Sequence, residues 1–563
     1  MNGAEALIES LKREGVEIIF GISGGAALPI YDALAKDDGE QIWNILTRHE
    51  QGAVHMAEGF AKATGRVGVC LATSGPGATN LVTGLADAIL DSVTIVAITA
   101  QVPTHAIGTD AFQESDIMGI TMPIVKHAYQ VRDAEEMAAT VKKAFYIAST
   151  GRPGPVLIDV PRDISQTEIK KFDYPASVEI MGYHPNQTVD QAAIEEARDL
   201  IAQAQKPMFY VGGGVVNTEA HRELLALAEK IDAPVASTLM GRGAFPDHHP
   251  LSLNMLGMHG TAYANWAVRE TDLLIAVGVR FDDRVTGNLS KFARNAKVIH
   301  LEIDPAEIHK NRYADVALLG DAKQTLSLLL ESCKRTEHPE WNKQIEKWKK
   351  EQPLRYGNNG LLKPQYIVEQ IGDLTRGEAI ISTDVGQHQM WAAQYYPFKR
   401  PRQFLTSGGL GTMGFGLPAA LGAKAACPDQ DVWLVSGDGS FQMNLQELAT
   451  SMVYGLPVKI ALFNNFSLGM VKQWQTLFYD NRHEGVDLAS IPDFKLLAEA
   501  YGCVGITVTK TEEVRPALER AQEIDDRTVL IDFQHDPAEH VYPMIPSGLS
   551  VDEMRLQPES VET

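Results

Sequence analysis

The 563-residue chain predicts an α/β fold of three doubly wound parallel-sheet domains. Its length exceeds what one core serves and suits three or four units. Short apolar runs of strand length alternate with stretches of helical periodicity, the pattern of parallel strands joined by crossover helices. Glycine-rich turns follow several of these runs, where the carboxyl ends of parallel strands present loops to ligands.

Along the chain, Ala4 to Leu11 reads as an amphipathic helix. Runs at Ile18 to Phe20, Val67 to Leu71, Val93 to Ile98 and Val156 to Val160 predict the strands of a first domain over 1–170. A further strand ends at Ile45 and Leu46, before a helix from Gln51 to Ala61. Phe172 to Gln191 is polar, contains proline and has weak periodicity. Strands return at Pro207 to Val211, Pro234 to Ser237, Leu273 to Val277 and Val298 to Ile303, giving a second domain over 190–335. Lys334 to Pro364 is charged and carries Trp341 and Trp348 one heptad apart, which predicts an amphipathic helix leading into a linker. The third domain, 364–545, has strands at Ala379 to Ser382, Val432 to Val435, Val458 to Phe463 and Val529 to Phe533, and a helix over Asn444 to Met452. From Pro537 the chain is too irregular to assign, and 546–563 is a C-terminal tail. Val69 to Gly77 is similar to Trp433 to Gly439, each a strand run into a glycine turn before a helix; two related units or chance account for it equally well.

Apolar residues at 45% permit large cores. No window approaches the roughly 18 uninterrupted apolar residues of a membrane span, and the amphipathic start is unlike a signal peptide, so a cytoplasmic chain away from membranes is expected. Cys70, Cys333, Cys427 and Cys503 lie far apart without metal-type spacing, which supports neither disulfides nor zinc. The net charge of -22 argues against nucleic acid as a partner and leaves recognition of a small anion to local charge.

Gly437-Asp438-Gly439 follows a buried strand, and Asn464-Asn465 comes after 24 intervening residues, at the end of the next. Each fragment alone is an ordinary turn or strand cap. Together they place Asp438 and Asn465 at the carboxyl ends of neighbouring strands, with a backbone carbonyl near Ser467 beside them. Magnesium takes hard oxygen ligands and usually only one or two from side chains, the rest from phosphate and water. The pair therefore suits a diphosphate held through magnesium, and together the two fragments resemble the signature of thiamine diphosphate enzymes, whose chemistry also needs a carboxylate against the cofactor's pyrimidine ring. Glu50, at a strand end where a helix opens, is the candidate; the alternative is a residue that only complements the helix dipole.

Nine stretches carry a resemblance over nearly the whole chain: Arg48 to Gly52, Thr73 to Asn80, Gly108 to Glu114, Gly151 to Pro155, Met255 to Gly260, Arg280 to Arg284, Asp384 to Met390, Ser407 to Met413 and Met470 to Trp474. They resemble the catalytic large subunit of acetohydroxyacid synthase, also called acetolactate synthase. Arg280 to Arg284 and the Gln473-Trp474 pair are the more selective of them, and the chain departs from the family in lacking a proline within Gly21 to Gly25. The resemblance implies a thiamine diphosphate enzyme fold with the site at a dimer interface. It gives a pyrimidine-binding first domain with catalytic Glu50, a central FAD-associated domain and a third domain binding diphosphate and magnesium.

By the same resemblance Val385, Gly386, Gln387, His388, Gly411, Met413, Gly437, Gly439, Ser440 and Met470 hold thiamine diphosphate, with Met413 as the apolar wedge that bends it. Asp438, Asn465 and Ser467 hold Mg2+. FAD falls to Arg152, Gly212, Gly213, Gly214, Leu256, Gly257, Met258, His259, Arg280, Asp282, Arg284, Gly320 and Asp321, although three successive glycines are in themselves a weak signal. Phe112, Gln113, Arg284, Val471 and Trp474 form the substrate pocket. The implied reaction condenses pyruvate with a second 2-oxoacid, pyruvate or 2-oxobutanoate, with loss of CO2, the first common step of branched-chain amino-acid biosynthesis. A homodimer or dimer of dimers is implied, with a possible small regulatory subunit. Rival readings are a flavin-dependent pyruvate oxidase, a flavin-free catabolic acetolactate synthase and a noncatalytic scaffold.

Overall fold

The computed structural model describes residues 1–36, 42–185, 188–490 and 492–556, so 557–563 of the expected tail lie outside the described residues. The first sheet is built from β1 (Ile18–Gly21), β2 (Trp43–Leu46), β3 (Gly68–Ala72), β4 (Ile95–Gln101), β5 (His127–Gln130) and β6 (Val156–Pro161), in the order β2-β1-β3-β4-β6-β5. The second contains β7 (Pro207–Val211), β8 (Val235–Ser237), β9 (Ser252–Met255), β10 (Leu273–Val277), β11 (Lys297–Glu302) and β12 (Val316–Leu319), in the order β12-β11-β10-β7-β8-β9. The third has β13 (Ile380–Thr383), β14 (Phe404–Leu405), β15 (Val432–Gly437), β16 (Lys459–Asn464), β17 (Val504–Val508) and β18 (Val529–Gln534), in the order β14-β13-β15-β16-β18-β17. Every pairing is parallel.

The first and third sheets share one topology, with β3 and β15 in equivalent places, so the similarity of the two glycine turns extends to whole domains. The central sheet has the strand order of dinucleotide-binding doubly wound folds. In each sheet the order reverses beside the first strand of the unit, and the loops leaving that reversal open a crevice. Those crevices lie beyond β13 and β15 in the third domain and beyond β7 and β10 in the second.

One apolar core is common to the first and third domains, running from Ile18 and Phe20 through Ala53 and Ala57 to Leu417, Ala420, Leu434 and Leu462. At its centre the helix Glu50–Thr64 crosses the helix Gly416–Ala426 backbone to backbone. A Cβ on Gly59 would stand 2.0 Å from the Ala419 carbonyl oxygen, and one on Gly422 1.9 Å from that of Met56. The helix expected around Trp341 is Pro339–Glu351, and it packs on the central domain: Trp341 Nε1 donates to the Pro207 carbonyl at 3.1 Å. The helix expected over Asn444 to Met452 begins later, at Glu447–Tyr454.

Candidate active site

Beyond β13 and β15 the chain makes three close turns, joined by Asp384. This carboxylate, 1% exposed, accepts N–H groups from Val385 (3.0 Å), Gly414 (2.8 Å) and Gly416 (3.3 Å). Burial pushes it up to about 6 against those hydrogen bonds. It thereby fixes both the turn entering the helix Gln387–Tyr395 and the loop carrying Met413. Gly437 and Gly439 are needed for close approach rather than for turn geometry, since neither has a positive φ. A Cβ on Gly437 would lie 2.8 Å from the His388 ring, and one on Gly439 2.5 Å from Leu468 Cδ2.

Asp438 is 1% exposed, its Oδ2 has no hydrogen-bond partner among the described residues, and burial pushes its carboxyl up to about 7. Across the sheet, Gly437 pairs with Phe463, which brings Asn465 alongside. Asn465 donates through Nδ2 to Gln387 Oε1 at 3.2 Å, and its Oδ1 accepts the Ser467 N–H at 3.1 Å. A 60 Å³ cavity joins these groups: Val385, Gly386, Gln387, His388, Met413, Gly437, Asp438, Gly439, Ser440, Asn465, Ser467, Met470 and Val471 all line it. Burial lowers His388 to about 3 and His535 to about 4, so the cavity presents neutral imidazoles. His388 Nε2 likewise has no hydrogen-bond partner among the described residues. An orphaned buried carboxylate, a helix N-terminus and glycines without side chains are what a divalent cation and a diphosphate require.

A second cavity, of about 860 Å³, opens beyond β7 and β10. Arg152, Gly212, Gly213, Gly214, Leu256, Met258, His259, Arg280, Asp282, Arg284, Gly320 and Asp321 line it, together with Gly411 and Trp474. Gly212 and Gly214 are pressed against Gly278: a Cβ on either would lie within 2.6 Å of its backbone. Gly213 is the open one of the three, its nearest neighbour being Met240 Cβ at 3.4 Å. Arg152 is held by Glu307 (3.0 Å) and Asp304 (3.3 Å). Gly257 does not line this cavity; its φ of 97° shapes the loop beneath, where its N–H donates to Asn265 Oδ1 at 2.9 Å. Val385 and Met470 line both cavities. Near this junction the Arg284 guanidinium lies 5.8 Å from the centre of the Trp474 ring. Asp283 is 4.0 Å from Arg284 Nε, too far to fix it by a hydrogen bond.

Glu50 opens the helix Glu50–Thr64, with His49 as its cap, and Asn80 Nδ2 donates to its Oε2 at 2.9 Å. It is half-buried and lines neither cavity. Phe112, 88% exposed, and Gln113 line neither as well. Gln473 lines neither cavity but backs the small one: it is fully buried, its Oε1 accepts from Gln387 Nε2 at 2.8 Å and its Nε2 donates to the Val541 carbonyl, while Trp474 beside it lines the large cavity. Asp384 and Asn80 are functional residues that the sequence patterns leave without a role, although both lie inside motifs, Asp384 to Met390 and Thr73 to Asn80. Their signal was a polar residue at a strand or turn end amid glycines.

Three family models match: thiamine pyrophosphate enzyme, N-terminal TPP binding domain, over residues 1–120; its central domain over 194–329; and its C-terminal TPP binding domain over 384–533. The chain is 51% identical over 567 residues to acetolactate synthase of Mycobacterium bovis, covering 99% of this chain and 91% of that one. It is 48% identical over 571 residues to the acetolactate synthase large subunit of Haemophilus influenzae, covering 100% and 99%. With acetolactate synthase isozyme 3 large subunit of Escherichia coli it shares 48% identity over 567 residues, covering 99% and 98%. The chain belongs to the acetolactate synthase large-subunit family of thiamine pyrophosphate enzymes.

Proposed function

We propose that the adjoining cavities hold thiamine diphosphate with Mg2+ and FAD, and that the chain condenses pyruvate with a second 2-oxoacid, pyruvate or 2-oxobutanoate, releasing CO2. This is the first common step of branched-chain amino-acid synthesis. The observation that carries the reading is the Arg284 guanidinium over the Trp474 ring, near where the cavities meet. A 2-oxoacid offers a carboxylate and a short alkyl group. The guanidinium binds the carboxylate through two parallel hydrogen bonds, and the indole gives the alkyl group a flat apolar wall. One further methylene against such a wall is worth about 1 to 3 kcal/mol, which favours the ethyl group of 2-oxobutanoate over the methyl of pyruvate. Val471, with Phe112 and Gln113 brought by a second copy, would complete that wall.

Asp438, Asn465 and the Ser467 carbonyl would hold the magnesium ion, and an ion there gives the orphaned Oδ2 of Asp438 its missing partner. Val385 to His388, Gly411, Gly437, Gly439, Ser440 and Met470 would hold the diphosphate cofactor, with Met413 packed beneath it. When bound, thiamine diphosphate would supply a carbon nucleophile and an electron sink for the loss of CO2. Glu50 holds the proton exchanged at the pyrimidine ring, and neutral His388 and His535 add no positive charge that would compete with the metal. The large cavity suits a flavin, and Gly213, the open one of its three glycines, would be among the residues that hold the pyrophosphate. Since the condensation moves no net electrons, FAD would be structural.

Glu50 and Phe112 stand outside both cavities of their own chain, so a second copy is needed to bring them to the site: a homodimer or dimer of dimers. A small regulatory subunit would be a further partner, and the cytoplasm is the proposed compartment. No helix among the described residues is long and apolar enough to cross a membrane.

The test is to incubate the purified protein with thiamine diphosphate, Mg2+ and pyruvate, with and without 2-oxobutanoate, and weigh the products. 2-Acetolactate, and 2-aceto-2-hydroxybutanoate when both acids are present, are expected. Acetate or acetyl phosphate formed with bleaching of the flavin would replace this reading by pyruvate oxidation.

A further inference from the structure

The short link between β2 and Glu50 is gripped by a helix of the third domain, Glu447–Tyr454, through its first and last residues. At the far end, Tyr454 Oη accepts the Leu46 N–H at 2.8 Å, and its ring meets Trp43 edge-on at 6.1 Å. At the near end, Glu447 is fully buried, and its Oε1 accepts two consecutive backbone N–H groups, from Arg48 (2.9 Å) and His49 (3.0 Å). Its Oε2 accepts the Thr450 hydroxyl at 2.6 Å. Both carboxylate oxygens are thus committed, and the amides they take immediately precede Glu50. The fit extends to Gly52, where a Cβ would lie 2.4 Å from Glu447 Oε1; only glycine in the first turn of the Glu50 helix admits the carboxylate.

Resting on the role given above to Glu50, we propose that Glu447 is the positioning residue for Glu50 of its own chain. It pins the last amides before the catalytic carboxylate, so the direction in which Glu50 leaves its helix is set by the third domain and not by the first alone. The same third domain carries Asp438 a few residues upstream, for the site completed by the other chain's Glu50. One third domain therefore serves two sites in different ways.

Glu447→Ala removes the acceptor, Glu447→Gln keeps one carbonyl oxygen for both amides, and Gly52→Ala pushes the carboxylate away without deleting it. In the cofactor-free chain, Glu447→Ala should speed amide hydrogen exchange at Arg48 and His49 by about tenfold or more, whereas Glu447→Gln should not. In the loaded enzyme, Glu447→Ala and Gly52→Ala should lower kcat about 10- to 100-fold, since a misplacement of about 1 Å has that effect. KM for pyruvate should stay unchanged and Glu447→Gln should recover most of the loss. Mixed dimers of differently tagged chains decide the cis assignment. Glu50→Gln and Glu447→Ala on one chain opposite wild type should leave one intact site and about half the turnover. The same two changes on different chains should impair both sites and fall well below half.

Equal turnover in the two arrangements, wild-type kcat in both Glu447→Ala and Gly52→Ala, or unchanged exchange at Arg48 and His49 would each overturn the proposal. Full activity of the Glu50→Gln homodimer would instead remove the role of Glu50 itself, whatever Glu447 does.

Discussion

Gly422→Ala places a methyl group where the two central helices touch. Its Cβ would stand 1.9 Å from the Met56 carbonyl oxygen, and real Cβ contacts essentially never fall below 3.0 Å, so the helices must part by at least 3.0 − 1.9 = 1.1 Å. Overpacking of this kind costs about 1 to 3 kcal/mol. Alanine returns about 1 kcal/mol of helix propensity, which leaves a net loss of up to about 2 kcal/mol. The larger effect is on chemistry, because the helix pushed aside is the one that begins at Glu50. A displacement of about 1 Å at a reacting group is worth up to ~100-fold in rate. Thermal unfolding followed by fluorescence, with kcat at saturating pyruvate, measures both. A midpoint lowered by a few degrees and a rate lowered tenfold or more are expected; a variant as stable and as active as wild type would refute the backbone contact.

Three further outcomes follow. Trp474→Leu should lower the ratio of 2-aceto-2-hydroxybutanoate to 2-acetolactate from mixed substrates by about tenfold, since the methylene preference of about 1 to 3 kcal/mol lives on that ring; an unchanged ratio denies it the role. Arg284→Ala should reduce kcat/KM for pyruvate by about 10- to 150-fold, the worth of a charged hydrogen bond of about 1.5 to 3 kcal/mol. Lys363→Met takes the cation from Asp536, which is 4% exposed and lies 2.8 Å from the Lys363 ammonium, and from Glu539, leaving Asp536 only the neutral donors Asn359 and Ala538 among the described residues, and should destabilise the fold by about 3 kcal/mol. Asp536 is held below its ordinary 3.8 and Lys363 above its ordinary 10.5, so the gap between wild type and variant should be widest between those values. It should close as pH falls through the depressed Asp536 value or rises through the elevated Lys363 value, which unfolding curves across pH would show.

The sequence made the middles of the sheets visible and hid their borders. All twelve interior strands coincide with apolar runs, because a strand covered by helices on both faces is apolar on both. The five strands missed, β5, β9, β12, β14 and β17, are all at sheet edges, where one side lacks a partner strand and the apolar run is short or broken. His127–Gln130 and the two-residue Phe404–Leu405 carry almost no pattern of their own. At the site, Asp438 and Asn465 were legible because spacing alone places them on neighbouring strand ends. Glu447 was not: its partners, Arg48 and His49, lie some 400 positions upstream, and nothing local to residue 447 announces them. The glycines were legible as glycines but not for their reasons, since Gly52, Gly59 and Gly422 serve contacts with distant segments rather than turns.

The account depends most on Asp438 holding, with Asn465, the ion that anchors a diphosphate beyond β15 and β16. Isothermal titration of thiamine diphosphate into the wild type and into Asp438→Asn, each with and without Mg2+, tests it directly. Binding that requires Mg2+ in the wild type and is lost in a folded Asp438→Asn is the expected result. Equal affinity in the two proteins, or binding indifferent to Mg2+, would contradict it.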